Sequence, residues 1–120
     1  MHRALPGILV GGVAGSAVRW GVVEVGDAAD LSAADVLIAV NALGCFVLGL
    51  AVARWTDAHD PRRLAIGLGF AGGLTTFSAL AVEVAAGIHA SDFSPATTSV
   101  PAQLLAGVVF FVLGRKAATR

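Results

Sequence analysis

"AGGLTTF", Ala71–Phe77, lies inside a stretch apolar enough to cross a bilayer, and its reading decides the fold. Two glycines and two threonines weaken an α-helix: glycine leaves the backbone loose, and a threonine hydroxyl competes for backbone carbonyls. Two outcomes follow. Thr75 and Thr76 can bond back to carbonyls one turn earlier, so that the helix merely bends. Alternatively the helix opens, which a bilayer tolerates only where protein covers the backbone or a polar cavity receives it. Carbonyls freed in that way can hold a cation.

The surrounding chain has 120 residues, 57% hydrophobic and 13% charged, with mean hydropathy +0.83. A soluble domain of this size could not hide so much apolar surface. Four segments, 4–25, 33–53, 64–88 and 96–114, each have the roughly 20 apolar residues that a bilayer core of about 30 Å requires. The expectation is an all-α membrane protein: four transmembrane helices in a single domain over 1–120, with the third helix broken at Gly72–Thr76. The opening "MHRALPGILVGGVAGSAV" lacks a small-residue cleavage site before Arg19 and Trp20, so it reads as the first span and not a removable leader. Short polar connections set consecutive helices antiparallel, and Pro61 opens the third.

Charge removes several function classes. A net charge of zero with scattered basic residues leaves no footprint for nucleic acid. Cys45 is the only cysteine, and His2, His59 and His89 sit at ends or in loops, so no thiolate or imidazole metal cluster is expected. The basic residues are one-sided. Arg3, Arg54, Arg62, Arg63, Arg115, Lys116 and Arg120 flank one end of the four segments, and the other two loops hold none. The positive-inside rule then places both termini in the cytoplasm of a cell-membrane protein.

The polar residues within the spans are few. Gly7, Gly11 and Gly15 recur at four-residue spacing with Arg19 next on that face. Small residues so spaced let helix backbones approach. Arg19 either snorkels to the headgroups or faces a protein interface as a functional charge. In segment two Asn41, Gly44, Cys45 and Gly49 share a narrow stripe. Asn41 is either a hydrogen-bonding clamp between helices or a pore residue offering its NH2 donors to an anion. Glu83 is either an intramembrane ion or proton site or a carboxylate near the interface. Gln103 is the only strongly polar side chain of segment four.

Taken in order, "GGVAGSAVRW" (11–20), "NALGCFVLG" (41–49), "GFAGGLTTFS" (69–78) and the following Glu83 resemble the CrcB/Fluc fluoride channels. The resemblance covers segments one to three and weakens in the fourth, where only "LGRK" is suggestive. It implies an antiparallel dimer with two pores. It also implies a structural sodium ion held by main-chain carbonyls from both subunits, here those of Gly72 and Thr75. Fluoride would pass beside the positive ring edge of Phe77 and past Asn41, with Thr76, Ser78, Arg19 and Glu83 completing the candidate pore set. This chain departs from the family pattern after "TTFS". Ala79, Leu80 and Ala81 stand where the family usually has Thr-Phe-Ser, and segment four lacks the hydroxyls that often extend the polar track. A reduced pore lining combined with one-sided charge suggests half of a heterodimer whose partner inserts the other way up; the alternative is a homodimer.

Other classes fit less well. A small proton-coupled multidrug exporter needs a central acid in its first segment, where this chain has Arg19. A lipid-modifying enzyme needs clustered carboxylates for magnesium, and Glu24, Asp27, Asp30 and Asp35 read instead as a solvated turn. A passive anion pathway needs no nucleophile or general base, and none is arranged here.

Overall fold

The computed structural model describes residues 3–119; His2 and Arg120, counted above, lie outside them. All the regular structure among the described residues is helical: α1 (Leu5–Ala28), α2 (Ala33–Arg54), α3 (61–74), α4 (Ser78–His89) and α5 (Pro95–Ala118). With α3 and α4 joined end to end as Pro61–His89, four helical stretches are long and apolar enough to cross a membrane. The molecule measures 47 × 26 × 26 Å, against about 40–45 Å for a bilayer with its headgroups.

Local chemistry sets the ends. Ser32 accepts the Asp35 N–H at 3.1 Å and donates its hydroxyl to the Asp35 carboxylate at 2.7 Å, a reciprocal cap that starts α2. Asp60 caps α3 by accepting the Arg62 N–H at 2.8 Å, with Pro61 preset at the first helical position. α1 and α4 end alike. Asp30 and Ser91 take left-handed φ of 57°, and the next residues return N–H bonds to Gly26 and Gly87.

The third span differs from expectation in two ways. Leu64–Ala71 is π-helical where the sequence reads as an ordinary α-helix, and a second π-helical turn, Pro95–Ser99, leads into α5. The break also falls at the C-terminal edge of the expected stretch. Gly72–Leu74 remains helical, Gly72 itself having φ −65° and ψ −36°, and the chain becomes extended only at Thr75, with φ −77° and ψ 156°. Glycine permits departure from a helix but does not compel it. The interactions that compel it begin one residue after Leu74.

The closest packing is between membrane spans two apart in sequence, which run parallel. Ala65 and Phe70 of α3 lie against Gly7, Gly11 and Gly15 of α1, and Ile8 and Gly12 lie against Gly69 and Gly73 in return. A Cβ at Gly11, Gly15 or Gly73 would strike the backbone of the facing helix. Gly49 and Gly114 meet the backbones of α5 and α2 in the same reciprocal way. Between helices in lipid such close approach replaces the missing hydrophobic drive. The pairs α1/α3 and α2/α5 are antiparallel to each other, so the short loops do reverse the chain while the tightest contacts skip one span. Leu37, Val40, Leu74 and Leu80 form the buried core between them, at the level of the break. Leu80, a departure from the resembled pattern, is thus a core residue.

Candidate functional site

The break is built by hydrogen bonds that remove backbone groups from the helical ladder. Thr75 ends α3 conventionally: its N–H and its hydroxyl both donate to the Ala71 carbonyl at 3.0 Å. Its own carbonyl accepts instead from Arg19 Nη1 at 3.0 Å. The next peptide is taken over by Asn41. Thr76 N–H donates to Asn41 Oδ1 at 2.8 Å, and Asn41 Nδ2 donates to the Thr76 carbonyl at 3.2 Å. A side-chain amide here pairs with a main-chain residue as a neighbouring strand would. Because Thr76 N–H goes to Asn41, the Gly72 carbonyl loses its i+4 partner and is freed from the ladder. The Thr76 hydroxyl lies 2.9 Å from that of Ser78 and accepts the Ala79 N–H at 3.4 Å, which restarts the helix.

Both readings of "AGGLTTF" therefore hold at successive residues: Thr75 bonds back, and Thr76 leaves. Arg19 faces protein, half-buried, and binds the break without snorkelling away from it. Asn41 is a clamp whose two amide hydrogens are both engaged, one on Thr76 and one on Gln103 Oε1 at 2.6 Å. Phe77, 78% exposed, projects from the break on the outer face.

Two clefts flank the break, with Thr76 lining both. The first, about 500 Å³, is lined by Ser16, Arg19, Val36, Val40, Thr76 and Glu83. The second, about 420 Å³, is lined by Asn41, Cys45, Thr76, Phe77, Gln103 and Leu104 among others. Glu83 accepts from the Ser99 hydroxyl at 2.7 Å through one carboxylate oxygen, while the other is buried without a partner among the described residues. The structure thus gathers Arg19, Asn41, Thr75, Thr76 and Ser78 at one point, with Phe77 at its edge and Glu83 across the first cleft. Gly72 lies on the exposed face, where a Cβ would meet open space. Gln103, buried and bonded to Asn41, is the site residue that sequence reasoning did not include; being alone as a polar side chain in its span was the available signal. Among the described residues no group of three His, Cys, Asp or Glu side chains could hold a metal ion.

Four spans, one of them broken at its middle and clamped by an amide and a guanidinium, define a multi-pass membrane protein of channel or transporter type. The comparison with known families makes the class specific. The model of the family described as CrcB-like protein, Camphor Resistance (CrcB) matches residues 7–115, and the chain belongs to that family. Relatives named fluoride-specific ion channel FluC include one from Cupriavidus taiwanensis, 36% identical over 110 residues, covering 88% of this chain and 86% of the relative. Another from Serratia proteamaculans is 38% identical over 87 residues, covering 70% and 68%, and one from Cupriavidus necator is 40% identical over 89 residues, covering 70% and 69%.

Proposed function

We propose that this chain is a subunit of a passive fluoride channel that lets fluoride leave the cytoplasm. The observation that carries the proposal is the clamped break at Thr75–Phe77 between two clefts, in a chain whose relatives are named for fluoride conduction. Fluoride holds its hydration water tightly, so a selective path has to offer replacement donors at close quarters. Candidate donors and positive edges meet here: the Thr76 and Ser78 hydroxyls, the Phe77 ring edge and the Arg19 guanidinium. Arg19 attracts anions into the first cleft, and Glu83 across it keeps that mouth from becoming a trap. No step needs bond making, which suits a channel and not an enzyme.

The exposed face around Gly72 and Phe77 is where a second subunit would dock, antiparallel to the first. A structural sodium ion would be held there by the Gly72 and Thr75 carbonyls of each subunit. The chemistry fits. The Gly72 carbonyl is released from the ladder on an open face, and the Thr75 carbonyl keeps one lone pair after accepting from Arg19. Hard oxygen donors suit such a cation, which would supply charge to tie the two breaks together. Thermal stability should be higher in sodium than in N-methylglucamine buffer; equal stability would remove the ion from the proposal.

The function itself is tested by fluoride efflux, read with a fluoride electrode, from liposomes containing this chain alone or with an oppositely inserted relative. Fluoride efflux without chloride efflux is expected in at least one of the two preparations. Its absence from both would sink the channel reading.

A further inference from the structure

Among the described residues, the buried side-chain polar atoms without a hydrogen-bond partner are Glu83 Oε2 and Gln103 Nε2. Gln103 is 7% exposed and lies on α5 beside the second cleft, with Cys45, Val100 and Leu104 as neighbours along its lining. A buried amide donor left unpaired within the chain, in such company, calls for an acceptor from outside it.

The orientation of that amide follows from the main chain. Thr76 N–H can only donate, so the Asn41 atom facing it is Oδ1; the Thr76 carbonyl can only accept, so the other Asn41 atom is Nδ2. Nδ2 can only donate, so the Gln103 atom 2.6 Å away is Oε1. What remains is an NH2 group with two hydrogens and no lone pair to offer. Such a group repels cations and serves an acceptor. Asn41 cannot do the same work, since its own hydrogens are already committed.

We infer that Gln103 Nε2 is an anion-binding donor of the second cleft, and that Asn41 is the positioning residue that locks it donor-outward. This rests on the fluoride-channel reading. A small anion entering past Phe77 sheds water against the Gln103 amide, which stands ready because the Thr76 peptide, through Asn41, holds its other end. Specificity for a small, strongly accepting ion comes from the fixed amide: a larger anion accepts more weakly from N–H and gains less from it. The relay also links the ion to the break, since the same Asn41 amide holds both.

The chain contains one glutamine and one asparagine, so selective labelling isolates each. In [15N]glutamine-labelled protein in lipid nanodiscs, with the relative present if efflux requires it, sodium fluoride should move a Gln103 Nε2 proton downfield saturably. Sodium chloride at equal ionic strength should leave it in place. Gln103→Glu keeps the oxygen that Asn41 needs but replaces the donor, and Gln103→Met keeps the length without either; each should lower fluoride efflux at least tenfold with helical content retained. Fluoride efflux by the unmodified chain with an unmoved Gln103 proton overturns the inference and leaves the channel reading intact, because an amide held only by water gives that result. A fluoride-specific shift in protein that conducts under neither condition supports the contact and overturns the channel reading. Absence of both overturns both.

Discussion

At the residue scale the site is a contest over two peptides, and single atoms decide it. Asn41→Asp preserves shape but replaces the donor facing the Thr76 carbonyl and Gln103 Oε1 with a second oxygen. The new oxygen then meets the Thr76 carbonyl acceptor to acceptor, while Gln103 can turn its free NH2 toward it, and a buried polar group left unmatched costs about 1–3 kcal/mol. Efflux should fall at least tenfold while membrane insertion persists, and the Gln103 amide resonances should move even without fluoride. Retained efflux with unmoved resonances would show that Asn41 positions nothing. Arg19→Gln removes the attracting charge and shortens the side chain that holds the Thr75 carbonyl. Efflux should drop several-fold at low ionic strength and by less at high salt, where screening already weakens the charge. A drop of the same size at every salt concentration would assign Arg19 to the fold of the break instead.

At the scale of elements, glycines divide into those that let helices touch and those that face outward. Gly15→Val would drive a side chain into the backbone of α3 around Phe70, and Gly49→Val would do the same to α5 around Phe111. Overpacking of this kind costs about 1–3 kcal/mol and more where backbone must shift; both variants should melt at lower temperature in detergent. Gly72→Ala meets nothing within 4 Å, and alanine favours a helix by about 0.5–1 kcal/mol. A folded chain that loses pairing and efflux in that variant would place Gly72 at a subunit interface. The start of α3 carries a pH dependence: the Arg62 side chain, then its N–H, hold the Asp60 carboxyl below the usual carboxylate range. A depressed pKa supports the folded state above the ordinary carboxylate range and loses that support as pH falls through the lowered value. Protection of the Arg62 and Leu64 amide protons, taken relative to their intrinsic exchange rate at each pH, should therefore be high at neutral pH and fall in acid. In Asp60→Ala that protection should be low throughout, and equal protection in both would deny the cap. The spans were legible because twenty apolar residues have few other uses, and the break because Gly-Gly and Thr-Thr are costly in a helix. Its exact residues were not, since they are set by Asn41 and Arg19 from other helices, 35 and 56 positions away. The π-helical turns left no signal in periodicity, and the role of Gln103 depends on a hydrogen bond spanning 62 positions.

At the scale of the whole molecule, charge polarity and apolar exposure pull toward different assemblies. Arg54, Arg62, Arg63, Arg115 and Lys116 lie at one end, with Arg3 preceding the α1 turns that pack on the start of α3. The opposite end holds Asp27, Asp30 and Asp92, and the Ser94 side chain and N–H keep the Asp92 carboxyl below its usual range. Two chains side by side in opposite directions would set each basic end against an acidic one. The exposed Phe77 and Gly72 would lie on the face that such a partner covers. The same polarity obstructs a homodimer, because a chain with seven basic residues flanking one end and none in the loops of the other resists inserting both ways. On the proposed antiparallel pairing, the charges point to a partner that is a different chain. Paired reporters fused to the C-terminus, one active only in the cytoplasm and one only outside, should give cytoplasmic signal alone. Reversing the bias, with Arg3, Arg54, Arg62, Arg63, Arg115, Lys116 and Arg120 changed to Ser or Gln and two lysines added to the loop at 29–32, should give external signal alone. Neither native nor reversed chain should conduct by itself, whereas co-reconstitution of the two should restore fluoride efflux, since together they supply the inverted partner. Equal signal from both reporters on the native chain, with efflux from that chain alone, would make it a dual-topology homodimer.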